Sequence, residues 1–143
     1  GAEIYGKAFI PEGLLKADWT LDGGIDMVRA ELDAGGNVPL IPPLTVNTGA
    51  KADWRLWSAA AHVTWADKQT DTGAGELPTD GYTQLDLRAD VKLSELGFGR
   101  DGTTLFVDAR NVTDEEIRYS TSVLKDKLPA PGRNIRVGVR ASF

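Results

Sequence analysis

The chain has 143 residues, a net charge of −5, no cysteine and a single histidine. That length fits one domain, the missing thiols exclude a disulfide frame or a thiolate metal cluster, and the acidic balance argues against nucleic acid as a partner. No stretch approaches the ~20 consecutive apolar residues of a membrane helix, and the start, GAEIYGKAFI, shows no basic n-region or cleavage site.

Hydropathy alone would end there, but strands of a membrane barrel give only a weak hydropathy signal, so the periodicity matters more. AEIYGKAFI is a weak strand with Ile4, Ala8 and Ile10 on one side. KADWTLDGGIDMVRAEL sets Ala17, Trp19, Leu21, Gly23, Ile25 and Met27 against Asp18, Thr20, Asp22 and Asp26. LTVNTGAKADW alternates in the same way, with Leu44, Val46, Ala50, Ala52 and Trp54 opposite Thr45, Asn47, Lys51 and Asp53. WSAAAHVTWADK groups Trp57, Ala59, Ala61, Val63 and Trp65 against Ser58, His62 and Thr64.

The clearest case is TQLDLRADVKL. Leu85, Leu87, Ala89, Val91 and Leu93 lie on one parity, and Gln84, Asp86, Arg88, Asp90 and Lys92 on the other. A helix would spread those charges around its circumference; a strand with one apolar and one wet face collects them. TTLFVDARNVTD repeats the pattern, although Phe106 interrupts its wet face. The last ten residues close the series, with Ile135, Val137, Val139, Ala141 and Phe143 opposite Asn134, Arg136, Gly138, Arg140 and Ser142. The reading is all-β: about seven antiparallel strands and no helix.

The connections alternate. PEGLL, the Trp54–Trp57 corner and LGFGRDG are short or Gly-rich, whereas DAGGNVPLIPP, DKQTDTGAGELPTDGY and STSVLKDKLPAPGR are long and irregular. In an up-and-down meander every long connection then lies at one end, as in outer-membrane barrels with tight periplasmic turns and long external loops. Trp19, Trp54, Trp57 and Phe143 fall near the short-turn end and Trp65 toward the other, all on the apolar parity, where a barrel in lipid places its aromatic girdles. A tryptophan filling a soluble core would share that parity.

Other motifs dissolve in context. GFGRDG fits G-x-G-x-x-G, but the phosphate-cradling version needs a helix next, and the alternating TTLFVDA follows. NVTD is a glycosylation acceptor only in a eukaryotic secretory setting. KADW occurs at Lys16–Trp19 and again at Lys51–Trp54, too short to define a repeat. His62 is alone, on the wet parity, so no metal cluster or nucleophilic triad can form within the chain. The expectation is no enzyme and no cofactor.

From Tyr82 onward the chain resembles the C-terminal part of TonB-dependent outer-membrane receptors, Gram-negative transporters with a plugged barrel of about 22 strands. The resemblance is carried by DARNVTDEEIRYSTS, by LPTDGYTQLDLRADV, by IPPL before a strand, and by the closing PAPGRNIRVGVRASF. It implies that residues 1–143 are the last seven or so strands of such a barrel, a C-terminal segment lacking the plug, the TonB-contacting box and the early strands.

The implied function is active import of a scarce nutrient (metal, metal chelate, siderophore or haem) across the bacterial outer membrane. Its partners would be the bilayer, the rest of the barrel and plug, the TonB complex, and a ligand held by loops. DEEIRYSTSVLKD is similar to the zinc- and haem-uptake branch. The resemblance also implies a role for the last strand: Arg136, Gly138, Ala141 and Phe143 fit the signal read by the barrel assembly machinery through edge pairing. Leu85, Leu87, Val91, Ile135, Val137 and Val139 would face lipid. Asp86, Arg88, Asp90, His62, Arg136 and Arg140 would face the lumen. Loops Asp33–Pro43, Asp67–Tyr82 and Tyr119–Arg133 would hold any ligand contacts.

Two other classes fit the alternation. A soluble antiparallel β-domain binding carbohydrate or lipid would fully bury Leu85, Leu87, Val137 and Val139. A passive porin or autotransporter barrel would lack a plug. Seven strands cannot close alone, because bacterial single-chain barrels have an even number, so a longer wall is expected.

Overall fold

The computed structural model describes residues 1–141. Seven strands form one sheet in sequence order: β1 (Ala2–Ile10), β2 (Asp18–Met27), β3 (Thr45–Asp53), β4 (Trp57–Ala66), β5 (Tyr82–Lys92), β6 (Thr104–Arg110) and β7 (Asn134–Arg140). Every neighbouring pair is antiparallel. β1 to β5 have 9, 10, 9, 10 and 11 residues, the length a tilted strand needs to cross a hydrocarbon layer. Helical geometry among the described residues is confined to two single 3-10 turns, at Leu14–Lys16 and Leu93–Leu96.

Register converts sequence parity into two faces. One transverse row runs Ala8, Leu21, Ala50, Ala61, Leu87, Ala109, Ile135; the next runs Phe9, Thr20, Lys51, Ala60, Arg88, Asp108, Arg136. A slip of one residue in any pair would mix the two sets. The apolar face is bare. Among the described residues the only buried hydrophobic ones are Ala17, Ala52, Ala66 and Ile117, while Leu87, Val137 and Val139 are 40%, 65% and 61% exposed. A soluble sandwich or barrel requires those side chains inside; this sheet holds no such interior.

The connections sort by end. The β1–β2, β3–β4 and β5–β6 turns share one end, and the loops 28–44, 67–81 and 111–133 share the other. The Trp54–Trp57 corner closes with a Trp54 N–H bond to the Trp57 carbonyl at 2.9 Å, and the two rings stack at 3.8 Å. In GFGRDG the glycines at 97, 99 and 102 take φ of 82°, 77° and 84°, and β6 follows directly. The motif is a hairpin connection whose glycines provide left-handed backbone.

β1 and β7 are the two edges, each with one side unpaired. In hydrocarbon such edges are forbidden, since each unsatisfied backbone group is expensive there.

Candidate functional site

Two surfaces bring functional side chains together: the loop end and the polar face below it. At the loop end, Glu76 and Lys125 form a buried ion pair at 2.5 Å, with side chains 7% and 3% exposed. Glu76 also accepts backbone N–H bonds from Gly73 at 2.8 Å and Leu40 at 3.2 Å, so one carboxylate ties together loops 28–44, 67–81 and 111–133. Burial alone would raise its pKa; the Lys125 ammonium and the two N–H groups outweigh burial and hold it below the ordinary carboxylate value. Lys125 further donates to the Ser120 carbonyl at 3.4 Å, and its own carbonyl accepts from Arg118.

More bonds knit the first two loops. Gln69 Nε2 donates to the Ile41 carbonyl at 2.8 Å and Asn37 Nδ2 to the Thr72 carbonyl at 3.4 Å, while within loop 67–81 Gln69 and Thr79 exchange backbone bonds at 2.9 and 3.1 Å. Between these loops lies a cavity of about 400 Å³, with Arg29, Glu31, Asn37, Asp67, Lys68 and Asp71 among its walls. Its chemistry is that of a polar pocket able to hydrogen-bond a hydrophilic ligand, not of a greasy slot.

A second clasp closes the β6–β7 loop at its neck. Asn111 takes a left-handed φ of 47° and is 2% exposed. Its amide donates to the Glu115 carbonyl and accepts from the Glu115 N–H, at 2.8 and 3.0 Å. Both side-chain atoms are thus committed, which removes NVTD as an accessible glycan acceptor. Asp114, at φ 59°, accepts the Arg133 N–H at 2.7 Å. NVTD and PGR are therefore one physical unit.

On the polar face, Arg88 grips Asp90 bidentately at 2.8 and 2.6 Å, and Arg136 meets Asp108 at 2.5 Å. Phe106, the residue out of parity in sequence, lies amid three guanidinium groups, those of Arg88, Arg136 and Arg140, at 5.3, 5.9 and 5.7 Å from its ring centre. The quadrupole of the ring makes it a suitable neighbour for cations. Phe106 also faces Gly138 across the strand pair, filling the space a side chain would take there.

The residues expected in the lumen, His62, Asp86, Arg88, Asp90, Arg136 and Arg140, share this polar face. Leu85, Leu87, Val91, Ile135, Val137 and Val139 share the opposite one with Trp19, Trp57 and Trp65. Of the expected assembly signal, Arg136 and Gly138 lie in β7 and Ala141 just beyond it; Phe143 lies outside the described residues. Among the described residues no group of three His, Asp or Glu side chains is placed to hold a metal ion.

Sequence reasoning missed Glu76, Lys125 and the Asp114–Arg133 bond. Loop residues carry no period, so nothing marks a Glu and a Lys 49 positions apart as partners. The Pro-Gly-Arg and Asn-Val-Thr-Asp segments drew notice through resemblance, with no hint that they touch.

Comparison with known proteins completes the picture. A family model described as "TonB dependent receptor-like, beta-barrel" matches residues 1–112. No curated protein matches the sequence. Among solved structures, the "Copper transporter OprC" superposes with a TM-score of 0.77 over 99% of this chain, at 16% identity. The chain covers 23% of that protein's length, and a likeness at that identity concerns the fold. A family match over most of the chain, on a seven-stranded meander with one bare apolar face, is decisive: the chain belongs to the TonB-dependent receptor family and forms part of its transmembrane β-barrel.

Proposed function

We propose that residues 1–143 are the C-terminal wall of a receptor that imports a scarce nutrient across the bacterial outer membrane, energised by TonB through a plug carried elsewhere in the protein. The observation that carries this reading is the combination of family membership with a sheet whose apolar face none of the described residues covers. In this reading Leu85, Leu87, Val91, Ile135, Val137 and Val139 contact acyl chains, and Trp19, Trp54, Trp57 and Trp65 sit at the two membrane interfaces. His62, Asp86, Arg88, Asp90, Arg136 and Arg140 line the lumen around the plug. Arg136, Gly138, Ala141 and Phe143 are read by the barrel assembly machinery.

The three loops joined through Glu76 form part of the mouth, with the polar cavity between loops 28–44 and 67–81 as its ligand-facing recess. The chain performs no covalent chemistry; its contribution is wall and vestibule. Copper is the named cargo of the structural neighbour, so metals and metal chelates head the classes to test, alongside siderophores and haem.

The test is uptake by cells producing the full-length receptor, with radiolabelled copper, zinc, ferric chelates and haem offered in turn. The reading expects one class to accumulate, and accumulation to stop when the inner-membrane proton gradient is collapsed or TonB is deleted. Accumulation unaffected by either treatment would identify a passive porin instead.

A further inference from the structure

The turn between β1 and β2 is built more rigidly than a simple connection requires. Glu12, Leu15 and Lys16 all adopt left-handed backbone, at φ of 47°, 62° and 54°, without a glycine among them. Non-glycine residues in that region are strained and persist only where surroundings hold them. Here Asp18 Oδ1 accepts the Glu12 N–H at 3.0 Å, Gly13 donates to the Ala17 carbonyl at 2.9 Å, and two indoles hold the rest. Trp19 Nε1 donates to the Leu14 carbonyl at 2.9 Å, and Trp54 Nε1 donates to the Leu15 carbonyl at 3.0 Å. The two KADW copies therefore converge on one turn.

Their position fixes its direction. Trp19 lies on the apolar face between Ile10 and Ala52, and Trp54 stacks on Trp57, which pairs with Val91 on that face. Indoles rooted there reach the carbonyls of Leu14 and Leu15 only because the turn leans over the outside of the sheet. The result is two leucines left 75% and 70% exposed on a turn whose Ala17 is fully buried. Lys16 follows with its cation exposed.

We propose that the Leu14–Leu15 turn is a membrane anchor, seated at the headgroup–acyl boundary of phospholipid on the short-turn side of the barrel. Its continuity with the apolar face selects lipid as the occupant. An apolar tip followed by a cation matches the layering of an anionic interface, where leucines enter the acyl edge and lysine meets phosphate. The proposal rests on the apolar face lying in lipid.

The chain is free of cysteine, so single-site labelling requires replacing only such cysteines as the rest of the receptor carries. In the full-length receptor, reconstituted in phosphatidylethanolamine–phosphatidylglycerol vesicles, nitroxide labels at L14C, L15C, V137C and V123C would be compared, each as the one reactive thiol. At positions 14 and 15 collisions with oxygen should exceed those with a water-soluble nickel chelate, at a depth shallower than position 137. Position 123, in an exposed loop, should favour nickel. Adding W54F, which removes the donor to Leu15, should broaden the motion of the label at 15 and raise its nickel accessibility.

Nickel dominating at 14 and 15 while 137 remains in lipid would overturn the anchor and leave the membrane reading standing. Nickel dominating at 137 as well would overturn both. Shielding of 14 and 15 from both reagents would overturn the anchor in favour of a protein surface covering the turn.

Discussion

Lys125 Nζ lies 2.5 Å from Glu76 Oε1, joining positions 49 apart in sequence across the loop end of the sheet. The two partners are not equally dependent on each other. Without Lys125, Glu76 still accepts from Gly73 and Leu40; without Glu76, Lys125 keeps only a 3.4 Å bond to Ser120. E76Q takes the counter-charge from a buried ammonium and turns an amide N–H toward one of the Lys125, Gly73 and Leu40 donors, so it should loosen the three loops by about 3–5 kcal/mol, whereas K125M should cost less. Limited proteolysis of the intact receptor reads this as faster cleavage within 67–81 and 111–133, ranked E76Q above K125M, with the strands unaffected.

The same pair dictates a pH response. Glu76 has its carboxyl held below its ordinary value in the folded state, so its contribution is complete at neutral pH, above the unfolded value. It is lost as acidification passes through the folded value. Loop protection should be constant through the mildly acidic range and fall only at strongly acidic pH. In E76Q that fall should be absent, because the titrating group is gone. Hydrogen exchange at Leu40 and Gly73 across a pH series, corrected for intrinsic rates, measures it.

Gly73 packs where no side chain fits. A Cβ there would lie 2.7 Å from Pro39 Cβ and 2.9 Å from Pro39 Cα and N, and backbone does not yield as a side-chain tip does. G73A should push loop 28–44 off loop 67–81 and cost about 1–3 kcal/mol, weakening the Leu40 bond to Glu76. G6A is the control, since nothing lies within 4 Å of a Cβ there. Proteolytic cleavage of loop 28–44 should rise for G73A and stay at the parental rate for G6A.

The contrast between strands and loops shows what a sequence can disclose. Asp86, Arg88 and Asp90 announce a wet face because period two repeats along TQLDLRADVKL, and pairing carries the same parity to Asp108 and Arg136. That rule placed all seven strands and both faces. The residues it assigned to β2 stop at Met27, as the strand does; it overran at β6, which ends at Arg110 before NVTD, and at β7, which ends at Arg140 before Ala141. The bond from Leu40 to Glu76 and that from Arg133 to Asp114 obey no period. They depend on which loops meet once the meander stacks its long connections at one end. Phe106 sits between the cases: its parity was readable, and its reason for being there, three arginines and a facing glycine, was not.

That facing glycine separates two roles. A Cβ on Gly138 would come within 2.7 Å of Phe106 Cζ and 3.0 Å of Cε1; the obstacle is a ring tip, so G138A turns the ring away from its guanidinium surround at about 0.5–1.5 kcal/mol, less than the backbone clash at Gly73. F106L shortens the obstacle and should restore refolding of G138A receptor into detergent micelles, where no assembly machinery acts. In cells the double variant should still insert slowly, because the proposed assembly signal reads Gly138 itself. Complete rescue in cells would assign the glycine to packing alone.

The Asp114–Arg133 clasp gives the sharpest genetic test of the loop neck. Asp114 Oδ1 accepts the Arg133 N–H at 2.7 Å, and the same oxygen lies 2.8 Å from where a Gly132 Cβ would sit. D114A removes the acceptor and leaves an alanine at a left-handed position, for a loss of about 1–3 kcal/mol. D114N keeps an oxygen acceptor and a residue that tolerates that backbone, so its loss should be smaller. G132A should be harmful in the parental chain because the new methyl meets the carboxylate, yet nearly silent in D114A, where the carboxylate is absent. Such non-additivity is the mark of two groups sharing one contact. Hydrogen exchange at Arg133, beside the first β6–β7 pair Arg110–Asn134, reads all four variants, and additive effects would show that the neck is held by something other than this carboxylate.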